Sequence, residues 1–133
     1  MKANELMIGD WFRCTDPTPM KITAIDSWNM VVEDQEGFKV EVGDLQPIPL
    51  TEDILLKNGF ESYEERYRLI TADDAIFVEH IIAETNDFFW FTNKSRVFRQ
   101  IKPSIVCNFN YVHEIQHLLR LCGLTDLADH FKV

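Results

Sequence analysis

Cysteine and glycine are both scarce in this chain, which has three cysteines and five glycines among 133 residues. The cysteines are Cys14, Cys107 and Cys122, and no two of them have the spacing of metal ligands. An odd count without such spacing is typical of a reduced cytoplasmic protein rather than a disulfide-stabilised one. The few glycines do not form a phosphate-binding loop, which argues against a nucleotide site of that kind.

Long apolar segments are also missing. The most apolar stretch, residues 75–83, is interrupted by Glu79 and His80 and is too short to cross a bilayer. Residues 1–11 lack a basic segment followed by an apolar run, so the sequence predicts no signal peptide. We therefore expect a cytoplasmic protein that has no membrane partner.

Basic residues are outnumbered by acidic ones, 13 against 22, which gives a formal charge of −9. A surface this negative repels phosphate backbones, so direct nucleic-acid binding is not expected. The charge is compatible with a basic protein partner, or with an acidic inhibitor that imitates nucleic acid. The chain is 46% hydrophobic, which is enough to build a core without disulfides or metal.

The sequence divides at Pro47-Ile48-Pro49, a stiff and extended connector. Short runs of alternating apolar and polar residues separated by turns precede it and predict a small β subdomain over residues 1–48. We expect this subdomain to be an SH3-like barrel or a meander sheet.

An α+β subdomain is predicted over residues 49–133. Thr51 begins a short helix that ends before Gly59, and the strand-like segments that follow predict an antiparallel sheet of four or five strands. A C-terminal helix is predicted between Asn110 as N-cap and Gly123, and a shorter one begins at Thr125.

The two subdomains are expected to form one folding unit, because residues 1–48 alone can bury little core. The apolar side chains that we expect to pack against the C-terminal sheet or helices are Leu6, Ile8, Trp11 or Phe12. The C-terminal helix would supply the rest of this core through Val112, Ile115, Leu119 and Cys122.

The string His113-Glu114-Ile115-Gln116-His117 has the HExxH pattern of zinc metallopeptidases. On a helix, this spacing places His113 and His117 on one face, where they could bind zinc while Glu114 acts as general base on a zinc-bound water. A minimal metallopeptidase is therefore one hypothesis.

Two features weigh against that hypothesis. At about 100° per residue, both histidines project opposite the apolar face of the helix, so we expect them to point outward. A third ligand is also missing, because Arg120 and Gly123 occupy the positions where metzincins have their glycine and third histidine. The only following candidates are Asp126, Asp129 and His130. We therefore predict no metal ligands and no cofactor.

Three other features could carry function. The strand from Phe88 to Phe91 is interpreted as a central strand covered on both faces, and the alternative is an exposed aromatic pair that binds a partner. His80 lies among apolar residues and is interpreted as a hydrogen-bonded core or edge histidine. Cys107 precedes the C-terminal helix, but the sequence places no histidine beside it, so a cysteine hydrolase has little support.

Three segments together resemble a family of small uncharacterised proteins from gut bacteria, which are often encoded by phages or mobile elements. These segments are Asn4–Trp11, Pro47–Phe60 and Tyr111–Gln116. The family pattern does not include a second histidine at the position of His117, so the resemblance implies that this histidine is incidental. The resemblance implies no activity and no catalytic residues.

The sequence therefore favours a non-enzymatic binding or accessory protein with an unknown protein partner. The zinc metallopeptidase that uses His113, Glu114 and His117 is the first alternative. The acidic inhibitor is the second.

Overall fold

A computed structural model describes residues 5–15, 18–72, 74–84, 86–95 and 105–133. These residues form eleven strands and three α-helices, so the predicted α+β class is confirmed. The chain divides into two compact units, one of Met1–Leu50 with Tyr111–Val133 and the other of Thr51–Asn110. The boundary after Leu50 lies two residues beyond the predicted boundary after residue 48. The C-terminal helices belong to the same unit as the N-terminal strands, whereas the sequence placed them with the rest of residues 49–133.

The first unit contains two three-stranded antiparallel sheets. One has the order β2-β1-β6, and the other has the order β3-β4-β5. The strands are β1 (Trp11–Arg13), β2 (Pro19–Lys21), β3 (Ala24–Asp26), β4 (Val31–Glu33), β5 (Lys39–Glu41) and β6 (Gln46–Pro47). The described strands form no closed barrel. Strands β3–β5 form a meander sheet, which was the predicted alternative to an SH3-like barrel.

A single apolar cluster contains side chains from both sheets. Phe12 of β1, Met20 of β2 and Val32 of β4 are buried in it, and Ile25 and Val40 pack against it. Each of these residues is the middle residue of a three-residue strand, and successive side chains of a strand point to opposite faces of its sheet. A short strand with one apolar residue between two more polar ones can therefore contribute to this core.

Two helices complete the first unit, α2 (Val112–Leu121) and α3 (Thr125–Asp129). Helix α2 contacts β1 and α3. Its first amide, of Val112, donates to the carbonyl of Ile48 at 2.9 Å, and Pro49 forms an isolated bridge with Tyr111. The proline segment is therefore part of this unit, with Ile48 and Leu50 buried, and is not a free connector.

Several details of the first unit differ from the sequence predictions. Phe12, Val112, Ile115 and Leu119 are fully buried as expected, but Ile8 is 60% exposed. The N-cap of α2 is Tyr111 and not Asn110, a shift of one residue. Whether the chain unfolds as one unit stays a prediction.

The second unit consists of α1 (Glu52–Lys57) and a five-stranded antiparallel sheet of order β11-β10-β9-β8-β7. Thr51 caps α1 as predicted, since its hydroxyl accepts from the amide of Ile54. The strands are β7 (Glu61–Tyr63), β8 (Arg66–Ile70), β9 (Asp74–Ile81), β10 (Phe88–Ser95) and β11 (Val106–Phe109).

Strand β10 is an interior strand, between β9 and β11, but it is not covered on both faces. Phe89 and Phe91 are buried, whereas Trp90 is 39% exposed. Trp90 lies opposite Glu79 on one side and Asn108 on the other, so its cross-strand neighbours are polar. The expectation of two covered faces is wrong because the face that carries Trp90 has polar cross-strand neighbours and is partly open to solvent.

Candidate functional site

The HExxH residues all lie on α2, in the first unit. The N-terminal segment before β1 passes over the polar side of this helix and makes side-chain contacts with it. The expectation that His113 and His117 point outward is therefore wrong. A helical projection gives the direction of each side chain, but not the chain segment that covers it.

Asp10 is at the centre of these contacts, with a side chain that is 0% exposed. His117 Nε2 donates to its Oδ2 at 2.7 Å, and Arg120 donates to its Oδ1 at 2.7 Å. The amide of Met7 also donates to Oδ2 at 2.9 Å. Removed from water, this carboxylate is stabilised by three donors and one full positive charge.

His113 is half-buried between aromatic rings. Its ring centroid lies 4.7 Å from that of Phe12 and 6.0 Å from that of Tyr111. Its Nδ1 is buried and has no hydrogen-bond partner among the residues that the structure describes. Burial lowers the pKa of His113, and the nearby Glu114 and Asp10 carboxylates offset this only in part.

Glu114 stabilises the beginning of the helix. Its Oε1 accepts from the backbone amide of Tyr111 at 3.1 Å, three residues earlier. This is the contact of an N3 glutamate in a capping box, and it satisfies one of the amides that a helix start leaves free. The position is also favourable for a negative charge, since Glu114 lies in the first turn.

Gln116 is fully buried, although it was not among the functional residues predicted from the sequence. Its amide nitrogen donates to the carbonyls of Gly9 and Ala128 at 2.7 and 3.0 Å, and its oxygen accepts from the amide of Trp11 at 3.0 Å. This side chain therefore joins the N-terminal segment, α2 and α3. The signal in the sequence is that Val112 and Leu119, four residues before and three residues after Gln116 on the predicted helix, are apolar.

The residues proposed as a third zinc ligand have other contacts. Asp129 approaches Arg120 at 3.4 Å, and His130 Nδ1 lies 2.8 Å from the carbonyl of Asp126. Within the described part of the chain, no group of three histidine, cysteine, aspartate or glutamate side chains is arranged to hold a metal ion.

The lowered pKa of His113 predicts a pH-dependent stability. The unfolded chain takes up a proton at the ordinary histidine pKa of about 6.5, whereas the folded chain resists it. Stability should therefore fall as the pH decreases through that value, until the folded state is also protonated. We expect His113→Phe, which keeps an aromatic ring against Phe12, to lose less stability than wild type between about pH 7.5 and pH 5.5.

Urea denaturation at a series of pH values measures this effect. The control is Leu121→Phe, which places a phenyl ring at an exposed position of the same helix, changes no titratable group and should leave the pH dependence as it is in wild type. An identical pH dependence in wild type and His113→Phe would contradict the burial of an uncharged His113.

A second candidate site is the outer face of the β3–β5 sheet. Alternation buries Ile25, Val32 and Val40 on one face, as the register pairs them. The opposite face forms a shallow hollow of about 460 Å³. Its outward-facing lining comprises Ala24, Asp26, Val31, Glu33 and Lys39.

His80 and Cys107 belong to the second unit. The His80 ring stacks on Phe89 at 4.6 Å, and its nitrogens lie 3.5 Å from Glu52 and 3.8 Å from Asp87. His80 is half-buried near the end of β9, which is the middle strand of the sheet and not an edge strand. Cys107 is a half-buried free thiol whose sulfur contacts the carbonyl of Asn108.

Comparison with protein-family models, with curated proteins and with solved structures gives no match for this chain. No helix in the described ranges combines the length and the apolar character that crossing a membrane requires. The site must therefore be interpreted from its own geometry.

Proposed function

We propose that this chain is a non-enzymatic binding or accessory protein. The observation that carries the proposal is that every HExxH side chain with catalytic potential has a role in the fold. His117 pairs with buried Asp10, Glu114 caps α2, and His113 is stacked on Phe12. Groups committed to buried contacts are poorly placed to bind a metal and a substrate without local unfolding.

The surface supports a protein partner. Trp28 is 92% exposed, although large aromatic side chains are usually buried and are enriched at the centres of protein interfaces. The net charge of −9 makes a basic partner more favourable than an acidic one.

The biological setting belongs to the same proposal. The resemblance of three segments to phage- and mobile-element proteins supports an accessory role in such an element. Free cysteines support a cytoplasmic location. An SH3-like relationship for the first unit, whose two sheets share one core, is proposed on the same basis.

Zinc binding separates this proposal from the metallopeptidase alternative. We expect the protein, purified and dialysed against equimolar zinc, to retain no stoichiometric metal and to leave an unstructured peptide uncut. We also expect His117→Ala to lower the free energy of unfolding by about 1–3 kcal/mol, since it removes a donor to a buried carboxylate. Elemental analysis, a peptidase assay and urea denaturation measure these quantities.

Two further variants distinguish a catalytic role of these residues from a structural one. Glu114→Gln keeps the shape of the side chain but removes a general base, whereas His130→Ala removes an exposed histidine from the same unit. One tightly held zinc per chain that is lost in His117→Ala, together with peptidase activity lost in Glu114→Gln, would overturn the proposal.

The acidic inhibitor is a second candidate that one observation favours. Residues 24–44 contain six acidic residues, Asp26, Glu33, Asp34, Glu36, Glu41 and Asp44, and one basic residue, Lys39. Carboxylates gathered along one small sheet resemble the charge density of a nucleic-acid backbone more than evenly scattered ones do. This candidate differs from the first only in the partner, which would be a nucleic-acid-binding protein.

A further inference from the structure

Exposed apolar side chains are concentrated in the two turns of the β3–β5 sheet. Trp28 is 92% exposed and Met30 43% exposed in the turn between β3 and β4, and Phe38 is 63% exposed before β5. The two turns lie at opposite ends of β4, and Phe38 lines a separate hollow with Met20 and Val40. Single exposed apolar residues are normal on protein surfaces, but an almost fully exposed tryptophan beside an exposed methionine in one turn is typical of an interaction site.

Both turns are held in fixed shapes by side-chain hydrogen bonds. In the first, Asp26 accepts from the amide and the side-chain nitrogen of Asn29 at 3.0 and 2.8 Å. In the second, Asp34 Oδ1 accepts from the amides of Glu36 and Phe38, each at 2.9 Å. The aromatic residues therefore stand on ordered turns, which reduces the entropy lost when a partner binds.

Met30 adds a strained backbone to the first turn. Its φ is 55°, in the left-handed region that a methionine rarely adopts. The carbonyl of Met30 accepts from the amide of Val42 at 2.8 Å, which ties the turn to the end of β5. The fold thus keeps an unfavourable conformation beside the exposed Trp28.

The charge of this sheet indicates which class of partner it binds. Asp26, Glu33 and Glu41 occupy the outer face with Lys39 as the one basic residue, and Ala24 and Val31 give the hollow an apolar floor. Negative charge around an apolar centre repels nucleic acid, an anionic lipid surface and a second copy of the same face. It attracts a polypeptide that combines basic and apolar side chains.

We propose that the outer face of the β3–β5 sheet docks a basic segment of a partner protein, with Trp28, in the turn whose Asp26 and Asn29 line the hollow, as its apolar contact. This proposal rests on the proposed binding function and adds the surface and the partner class. Arginine side chains fit both parts of the surface, because a guanidinium pairs with carboxylates and stacks on an indole ring.

The first test uses a fourteen-residue peptide of alternating arginine and valine, and the same peptide with glutamate for arginine. We expect only the arginine peptide to bind, and to bind less tightly as salt increases. Trp28→Ala should weaken this binding about tenfold or more, the loss expected when a central interface aromatic is truncated. Isothermal titration measures the affinity, and NMR chemical-shift changes locate the peptide on the protein.

A pair of charge-matched double variants separates this face from the overall acidity. Glu33→Lys with Glu41→Lys changes the net charge as much as Glu65→Lys with Glu84→Lys, whose residues are exposed in the second unit. The first pair should abolish binding and the second should change it by about twofold at most. Circular dichroism confirms that each variant is folded.

Several results would overturn the inference. They are failure of the arginine peptide to bind, equal losses in both double variants, an unchanged affinity in Trp28→Ala, and shift changes centred on another surface. Self-association through Trp28, or binding of a single-stranded DNA oligonucleotide at this face, would also overturn it. None of these results produces zinc-dependent peptidase activity, so failure here is distinguishable from failure of the proposed function.

Discussion

Asp10→Ala is expected to lower the free energy of unfolding by about 3–5 kcal/mol, which is the usual cost of removing one partner from a buried ion pair. The Asp10 carboxylate is 0% exposed, and both Arg120 and His117 donate to it at 2.7 Å. Without it, the Arg120 guanidinium, which is only 12% exposed, keeps a hydrogen bond of 3.1 Å to the carbonyl of Ile8 and a longer carboxylate contact of 3.4 Å to Asp129. Urea denaturation measures the loss.

Two further substitutions show whether the loss comes from the buried charge. Asp10→Asn retains an acceptor for the amide of Met7 but not the negative charge, so its cost should be intermediate. Asp44→Ala removes an exposed carboxylate from the same unit and should change stability by about 0.5 kcal/mol at most. A stability for Asp10→Ala that equals that of Asp44→Ala would contradict a structural role for the Asp10 pair.

Phe91→Ala is expected to cost about 3–5 kcal/mol, because it empties a fully buried aromatic site in an interior strand of the five-stranded sheet. Phe91 lies between Val78 of β9 and Cys107 of β11. Its ring meets the ring of Phe109 edge-on, with 6.3 Å between the two ring centroids. The cavity would be closed in by neighbours on both sides, so little relaxation can refill it. Thermal or urea unfolding measures the change.

Trp90→Ala is the matched control on the same strand. The sequence alone predicts the full cost of a buried aromatic for Trp90, but its ring is 39% exposed and its cross-strand neighbours are Glu79 and Asn108. We therefore expect a cost well below that of Phe91→Ala. Equal losses at the two positions would mean that both faces of the strand are covered.

The polar contacts of the first unit hold the N-terminal segment at one place on α2. Gln116, His117 and Arg120 of α2 all bind the segment from Met7 to Trp11, which approaches the helix from more than one hundred positions earlier in the chain. Such contacts fix the place of that segment on the helix because each donor needs one particular acceptor.

The interaction surface could not be identified from the sequence. Trp28, Met30 and Phe38 occur in a segment of alternating apolar residues, where the simplest interpretation places large side chains in a core. Only the pairing of β3, β4 and β5 decides that Val32 is buried while Trp28 stands in a turn. Exposure depends on which face of a strand finds a partner, and a single strand does not contain that information.

The sequence by itself determined the local structure. Period-two alternation predicted the short strands, Thr51 capped α1, and the buried stripe of Val112, Ile115 and Leu119 followed from helical spacing. These features depend on residues within a few positions of one another, where backbone geometry restricts what a side chain can reach.

Only the tertiary structure decided the roles of the HExxH residues. Their spacing on α2 is the same for a zinc site and for a structural contact, so the local pattern could not separate the two. The difference lies in Asp10 and Phe12, which are about one hundred residues distant in the chain and lie against His117 and His113 in the fold. A side chain's chemistry is set by the groups that surround it, and for this helix those groups come from the other end of the chain.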